Sequence, residues 1–166
     1  MRPFLLLDVD GVLNPFAAAQ CPAGFVEYDF FPDVQPVRIC TAHGAWLAEL
    51  RPHFEFVWAT AWAEEANRLL APLLGLDALP CIRVPPPPFA PAVKFRGVRE
   101  FVGDRAFAWI DDDFAPEAIL WARRRPAAAL LLFADPEYGL TRRLVDECLR
   151  WVGVEPGGNS TAGVLS

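Results

Sequence analysis

The apolar run at residues 4–9, which ends in acid, constrains the fold of this chain most strongly. A strand that is apolar on both faces must be covered on both faces, and this happens chiefly in parallel sheets flanked by helices. The run therefore predicts a buried strand of an α/β domain. Its acids, Asp8 and Asp10, are then expected at the carboxyl edge of the sheet.

The rest of the chain alternates strand-like runs with amphipathic helical segments. Such alternation predicts a mainly parallel sheet with helices packed against it. One helical face is marked by Ala66, Leu69 and Leu70, and Pro72 predicts that this helix kinks or ends near Ala71. The predicted strands are residues 4–9, 54–59, 80–84, 106–110 and 128–134, and the other predicted helices are 43–50, 94–102, 116–124 and 141–152.

The length of 166 residues suits a single domain, which we place at residues 1–152. A loop-rich stretch around residues 15–40 contains an alternating segment at 25–30, which predicts a small hairpin and hence a flap. No insertion is large enough for a substantial cap. The prolines at 85–88 predict a stiff connector, and the Gly- and Ser-rich residues 153–166 predict a disordered tail.

Composition narrows the setting in which the protein works. The net charge of −6 argues against a surface that grips nucleic acid throughout. No uncharged apolar run is long enough to cross a bilayer, and acids interrupt the signal-like N-terminus. The four cysteines are widely separated and are expected to be reduced. We therefore expect a cytoplasmic protein with no membrane partner.

Polar residues follow several of the predicted strands, at the edge where ligands bind in an open parallel sheet. Asp8 and Asp10 follow the first strand, Thr60 follows the second, and the acids 111–113 follow the fourth, while Lys94 begins a helix. Acid clusters that converge need a cation to stay ionised. Carboxylate oxygens without His or Cys nearby suit a hard ion such as Mg²⁺.

These residue types match the tasks of phosphoryl transfer. One carboxylate can attack as a nucleophile, and a second can protonate the leaving oxygen and later activate water. A hydroxyl group and an ammonium group can bind the phosphoryl oxygens, whose negative charge must be held in the transition state. The pattern therefore indicates hydrolysis of a phosphate ester.

The ordered set of motifs resembles the haloacid dehalogenase (HAD) superfamily. The stretch 8–14, Asp-Val-Asp-Gly-Val-Leu-Asn, resembles its first motif, and Thr60, Lys94 and the acids 111–113 are similar to the second, third and fourth. Trp-Ala-Thr-Ala-Trp around Thr60, Trp-Ile-Asp-Asp at 109–112 and the later Gly-Leu-Thr at 139–141 resemble a small HAD subfamily. That subfamily is named for domains of "Swiss army knife" RNA repair proteins.

The resemblance implies a Rossmann-like three-layer α/β/α sandwich with a five-stranded sheet and a minimal cap. It implies that Asp8 is the nucleophile, that Asp10 is the general acid and base, and that Mg²⁺ is the cofactor. The implied phosphate-binding residues are Thr60, Ala61 and Lys94. The implied metal ligands are Asp8, Asp10 through its backbone carbonyl, Asp111 and Asp112, and the division of tasks among Asp111, Asp112 and Asp113 stays open.

Several functions remain open from the sequence. The leading one is a phosphatase on phosphate monoesters, acting on a small molecule, a nucleotide or a nucleic-acid end. A phosphoprotein phosphatase and a non-catalytic interaction module on a HAD scaffold are the alternatives. Carbon–halogen hydrolysis is disfavoured by Asp10 and the later acids, and a receiver domain by the position of Lys94 ahead of them. An open site also predicts a partner protein or an oligomer that supplies a lid.

Overall fold

Four parallel strands form the central sheet of this computed structural model, which describes residues 1–85 and 90–155. In chain order the strands are β1 (Phe4–Leu7), β2 (Val26–Tyr28), β3 (Val37–Ile39), β4 (Glu55–Trp58), β5 (Phe107–Asp111) and β6 (Ala129–Phe133). The sheet order is β4-β1-β5-β6 with every pair parallel, while β2 and β3 form a separate antiparallel ribbon. The predicted α/β class with a mainly parallel sheet is confirmed.

Helices cover both faces of the sheet. They are α1 (His43–Leu50), a π-helical turn (Ala66–Leu70), a 3₁₀ turn (Pro72–Leu74), α2 (Pro91–Val102), α3 (Pro116–Arg124) and α4 (Arg142–Trp151). Successive strand residues point to opposite faces, so Leu5 and Leu7 pack with α1 and α4, whereas Leu6 packs with α2 and α3. The result is the predicted three-layer sandwich, with an apolar core on each side of the sheet.

The predicted fifth strand, at residues 80–84, is wrong. Only Cys81 pairs there, as an isolated parallel bridge to Trp58. The Trp58 amide donates to the Pro80 carbonyl and the Ile82 amide donates to the Trp58 carbonyl, both at 2.8 Å. Pro80 has no N–H to donate to the strand beside it, and the chain after Trp58 turns away at Ala59 and Thr60. The ladder is therefore limited to one residue pair.

The two-stranded ribbon lies within the segment predicted to form a flap. The alternating stretch at 25–30 supplies only the strand β2, and its partner β3 lies nine residues further along the chain. Residues 86–89 and 156–166, which hold most of the predicted proline connector and of the predicted tail, lie outside the described residues. Among the described residues, no helix has the length and apolar character needed to span a membrane.

Pro72 interrupts the helical segment that starts after Thr60, as the sequence predicts. Proline lacks the N–H that would continue an α-helix. The amide of the preceding residue, Ala71, donates to a carbonyl five residues back instead of four. The Ala71 amide donates to the Ala66 carbonyl at 3.0 Å, which is a π-helical rather than an α-helical bond. The helix therefore ends at Leu70, and a short 3₁₀ turn follows.

His43, the first residue of α1, is buried among aromatic rings. Its side chain packs edge-on against Phe25 and lies 4.9 Å from the Trp46 ring, measured between centroids. The Nδ1 atom is buried and has no hydrogen-bond partner among the described residues. Burial lowers the pKa of His43 to about 4, because a charged imidazole would lose its hydration there. The folded protein therefore holds His43 neutral at pH 7.

This burial predicts a loss of stability in mild acid. Between about pH 6.5 and pH 4 the unfolded chain binds a proton at residue 43 that the folded chain does not, so the free energy of unfolding falls as pH falls. The loss from this residue reaches about 3 kcal/mol at pH 4. His43→Phe keeps a ring and removes the titration, so its advantage over the wild type should grow across that range.

Urea unfolding at several pH values measures the difference in free energy of unfolding between the two proteins. His53→Gln, which removes the chain's other imidazole, is the matched control. A difference between His43→Phe and the wild type that stays constant from pH 6.5 to pH 4 would contradict a buried neutral His43.

Candidate active site

The candidate site lies where the chain changes direction across the sheet. From β1 the chain moves to β4 on one side and then crosses to β5 on the other, so β1 sits between them. Asp8 follows β1, Asp111 ends β5, and the Asp8 amide donates to the Ile110 carbonyl at 3.2 Å. Such a switch point leaves a crevice at the carboxyl ends of neighbouring strands, where open α/β sheets bind ligands.

Lys94 joins the two neighbouring strands from α2. Its Nζ atom donates to Asp8 Oδ2 at 2.5 Å and also forms an ion pair with Asp111 Oδ2. All three side chains are buried, and Lys94 is only 5% exposed. Burial lowers the pKa of Lys94, but the attraction of the two carboxylates outweighs it and the net pKa is raised. The ammonium group is therefore charged inside the protein.

Asp111 is held on both carboxylate oxygens. Its Oδ2 accepts a hydrogen bond from Trp109 Nε1 at 2.8 Å, and its Oδ1 accepts from the Asp113 amide at 3.1 Å. Burial, followed by repulsion from Asp8, raises the pKa of Asp111 to about 7, although Lys94 opposes the rise. Asp111 is thus fixed in orientation, and the Lys94 ammonium beside it only partly offsets the effects of burial and of Asp8 on its pKa.

Asp112 completes a cluster of three carboxylates. One oxygen each from Asp8, Asp111 and Asp112 lie within 4.8 Å of one another. Burial and the nearby Asp8 raise the pKa of Asp112 to about 6. Gly11 makes room for this side chain, because a Cβ at Gly11 would lie 2.3 Å from Asp112 Cγ. Gly11 also has φ +76, a left-handed backbone conformation that residues other than glycine rarely adopt.

Asp10 stands apart from this cluster. Its Oδ1 accepts from Asn14 Nδ2 and its Oδ2 accepts from Trp62 Nε1, each at 2.8 Å. The carboxyl group is open to solvent, yet the protein around it displaces enough water to raise the pKa of Asp10, against the effect of its two donors. Solvent screens this exposed carboxyl group, so the shift contributes little to stability. The two hydrogen bonds fix where the Asp10 carboxyl points.

The turn after β4 carries the two other predicted phosphate-binding residues. Thr60 is buried, and its Oγ1 accepts from the Trp62 amide at 3.4 Å, a long hydrogen bond. Ala61 lines the same cavity as Asp10 and Trp62. The Ala59 amide donates to the Leu7 carbonyl at 2.8 Å, which holds this turn beside the end of β1. Thr60 and Ala61 therefore lie on the opposite side of Asp8 from Asp111.

Three residues that support the acids went unrecognised in the sequence. Asn14 and Trp62 each donate a hydrogen bond to Asp10, and Trp109 donates one to Asp111. A signal existed for Trp109, because residues two apart on a strand share a face, and this places its indole beside Asp111. Asn14 also accepts from the Arg38 amide at 3.0 Å, a contact 24 residues away that local patterns do not reveal.

Comparison with protein families identifies the fold. The family described as the HAD domain in Swiss Army Knife RNA repair proteins matches residues 4–145, which is most of the chain. The chain belongs to this family, as its motifs suggest. A HAD-like domain favours hydrolase activity in general. A comparison with curated proteins found no significant match.

The crowding of Asp112 predicts that an amide there stabilises the metal-free protein. An acid whose pKa rises on folding destabilises the fold above that pKa, so the penalty is full at pH 8 and absent below its unfolded value near 4. Asp112→Asn should therefore raise the free energy of unfolding at pH 8 by about 1 kcal/mol, because solvent screens this half-buried carboxyl, and have little effect at pH 4.

Chemical denaturation in EDTA measures this change. Asp104→Asn, an exposed acid at the other end of the sheet, is the control for the loss of one negative charge. If Asp112→Asn were less stable than the wild type at pH 8, the carboxylates would not be repelling one another as the geometry implies.

Proposed function

We propose that this protein is a Mg²⁺-dependent phosphohydrolase that cleaves phosphate monoesters through an aspartyl-phosphate on Asp8. The observation that carries the proposal is the convergence of Asp8, Asp111 and Asp112 on one point, with the Lys94 ammonium between two of them. This set combines a nucleophile, a cation site and an ammonium group that can donate hydrogen bonds to a phosphate. A structural ion pair needs only one carboxylate per lysine, so the surplus acids support a catalytic use.

The donor set fits Mg²⁺. Three carboxylates meet within 4.8 Å, and Lys94 alone does not balance their charge. Burial, followed by repulsion from Asp8, raises the pKa values of Asp111 and Asp112, and a bound cation would offset both effects. Oxygen donors without His or Cys suit a hard divalent cation. Asp8, Asp111 and Asp112 would hold the ion, which would supply positive charge beside the phosphoryl oxygens.

In the first step an Asp8 carboxylate oxygen forms a bond to phosphorus, and the bond from phosphorus to the leaving oxygen breaks on the opposite side. Asp10 gives its proton to that leaving oxygen, so an alcohol departs. The raised pKa of Asp10 favours the protonated form needed here. Trp62 and Asn14 keep the carboxyl group aimed while it gives up its proton.

In the second step water attacks the phosphorus of the aspartyl-phosphate. Asp10, now ionised, takes a proton from that water, and Asp8 leaves as a free carboxylate together with inorganic phosphate. Lys94 donates hydrogen bonds to the phosphoryl oxygens, and Thr60 and the Ala61 amide are proposed as further donors. All four side chains end in the state in which they began.

The assay that tests this proposal measures phosphate release from an aryl phosphate with purified protein and Mg²⁺. We expect turnover that EDTA suppresses and that added Mg²⁺ restores. Asp8→Asn should lower kcat by more than about 10⁴-fold, since the nucleophile is lost. Asp10→Asn should lower it by about 10²- to 10⁴-fold, the usual contribution of a general acid.

Asp104→Asn, far from the site, is the control and should keep wild-type kcat. Turnover that survives both EDTA and Asp8→Asn would contradict the mechanism. Absence of turnover on aryl phosphates, nucleotides, phosphopeptides and phosphorylated oligonucleotide ends would favour a non-catalytic interaction module instead.

A further inference from the structure

A cavity of about 540 Å³ opens beside Asp10, between the ribbon and the central sheet. Three segments form its walls: the loop after β1, the β2–β3 connection with the start of β3, and the turn after β4. Its aromatic lining residues are Phe16, Phe31 and Trp62. The volume lies within the range of small-molecule sites and is ample for a group of nucleoside size.

The proposed chemistry assigns a part of the substrate to this cavity. Asp8 attacks from one side of the phosphorus, so the leaving group lies on the other side. Asp10 must come within hydrogen-bond reach of the leaving oxygen to protonate it. Because Asp10 lines the cavity, the group attached to that oxygen extends into it. The cavity is therefore the place of the leaving group, and this step rests on the proposed function.

The cavity walls offer ring faces and edges held in fixed positions. The Phe31 ring meets Trp62 edge-on with 5.0 Å between centroids, and Trp62 is anchored through Nε1 to Asp10. Ala63, which follows Trp62 in the chain, has φ 47, and Asp33, which precedes the lining residue Val34, has φ 61. Both are left-handed backbone conformations in residues other than glycine. Strain of this kind persists where the surroundings enforce it and is common at binding sites. Such walls favour a flat ring over a flexible alkyl group.

The charges around the cavity disfavour a leaving group with further phosphates. Arg38 is the one cation among the described lining residues, and its guanidinium is committed to Glu27 at 3.1 Å and to the Ala18 carbonyl. Arg68, just outside, pairs with the lining residue Glu65. A nucleic-acid strand would need cations to neutralise its phosphates, and the one cation among the described lining residues, Arg38, already pairs with Glu27.

We infer that the cavity binds the leaving group of the substrate, and that this group is an uncharged alcohol or phenol that carries a flat aromatic ring and is no larger than a nucleoside. Phe31 and Trp62 supply the stacking surface, and Asp10 meets the bridging oxygen at the cavity floor. The substrate is then a monomeric phosphate monoester whose leaving group carries an aromatic ring, either an aryl phosphate or a nucleoside monophosphate, and not the phosphorylated end of a polynucleotide.

The test compares kcat/KM for 1-naphthyl phosphate, a nucleoside monophosphate, glycerol phosphate and an end-phosphorylated oligonucleotide at low salt. We expect the better of the two aromatic monomers to exceed glycerol phosphate and the oligonucleotide by at least about 10-fold, the usual effect of one stacked ring. Phe31→Ala should lower the ratio of aromatic to glycerol phosphate kcat/KM by about 10-fold. Phe31→Leu, which keeps apolar bulk but has no ring, should lower it as well.

Phe101→Ala is the matched control, since Phe101 is a partly exposed ring at the far end of α2 and packs on Phe4. It should leave the ratio unchanged. Calorimetry of 1-naphthyl phosphate binding to the Asp8→Asn protein tests the cavity without turnover. The double variant that also carries Phe31→Ala should bind it about 10-fold more weakly.

The outcomes separate the cavity from the proposed function. Equal kcat/KM for aromatic and glycerol phosphates, or a preference for the oligonucleotide, would overturn the cavity assignment and leave the phosphohydrolase standing. If no substrate is turned over but 1-naphthyl phosphate binds and Phe31→Ala weakens that binding, the phosphohydrolase is overturned and the aromatic site is kept. No turnover and no binding would overturn both.

Discussion

The buried ion pairs of Lys94 with Asp8 and Asp111 are the interaction on which the rest of the site depends. They bind α2 to the ends of two adjacent strands, and they place a permanent positive charge where three carboxylates meet. Removing one member of a buried charge network leaves the others uncompensated, which is strongly unfavourable. The lysine alone does not balance the acids, however, and burial together with repulsion from Asp8 raises the pKa values of Asp111 and Asp112. A fold stabilised only for its own sake would not carry this surplus of negative charge.

Around this core, a second set of contacts holds each acid in one orientation. Trp109 binds Asp111 from the same strand face, Asn14 and Trp62 bind Asp10, and Gly11 leaves space for Asp112. The loop after β1 is itself held by the segment before α4, because the Leu140 amide donates to the Val12 carbonyl. Gly139 permits this approach, since a Cβ there would lie 2.5 Å from the Val12 oxygen. The fold itself thus holds each acid in a defined orientation, as the proposed catalysis requires.

The sequence predicts the class of fold and the position of the acids because both follow from local patterns. Apolar runs that end in Asp8 and Asp111 mark strand ends, and parallel strands bring their carboxyl ends together. The predicted strand at 80–84 was wrong because an apolar run does not show how many hydrogen bonds it forms with the neighbouring strand. Here Pro80 lacks the N–H that would extend the pairing. The partners Asn14 and Trp62, and the cavity formed by segments far apart in the chain, depend on side-chain directions set only by the tertiary fold.

We propose that Asp8 attacks the phosphorus, that Asp10 transfers the proton and that the leaving group lies in the cavity beside the β2–β3 ribbon, and the other two roles depend on the attack by Asp8. The most direct measurement quenches the protein in acid during turnover of an aryl phosphate that carries a radioactive phosphoryl group, and then locates the radioactivity by peptide mapping. We expect one phosphoryl group on the peptide that contains Asp8, and none when residue 8 is changed to Asn. Turnover with the phosphoryl group on another residue, or with undiminished label in Asp8→Asn, would contradict the attack by Asp8.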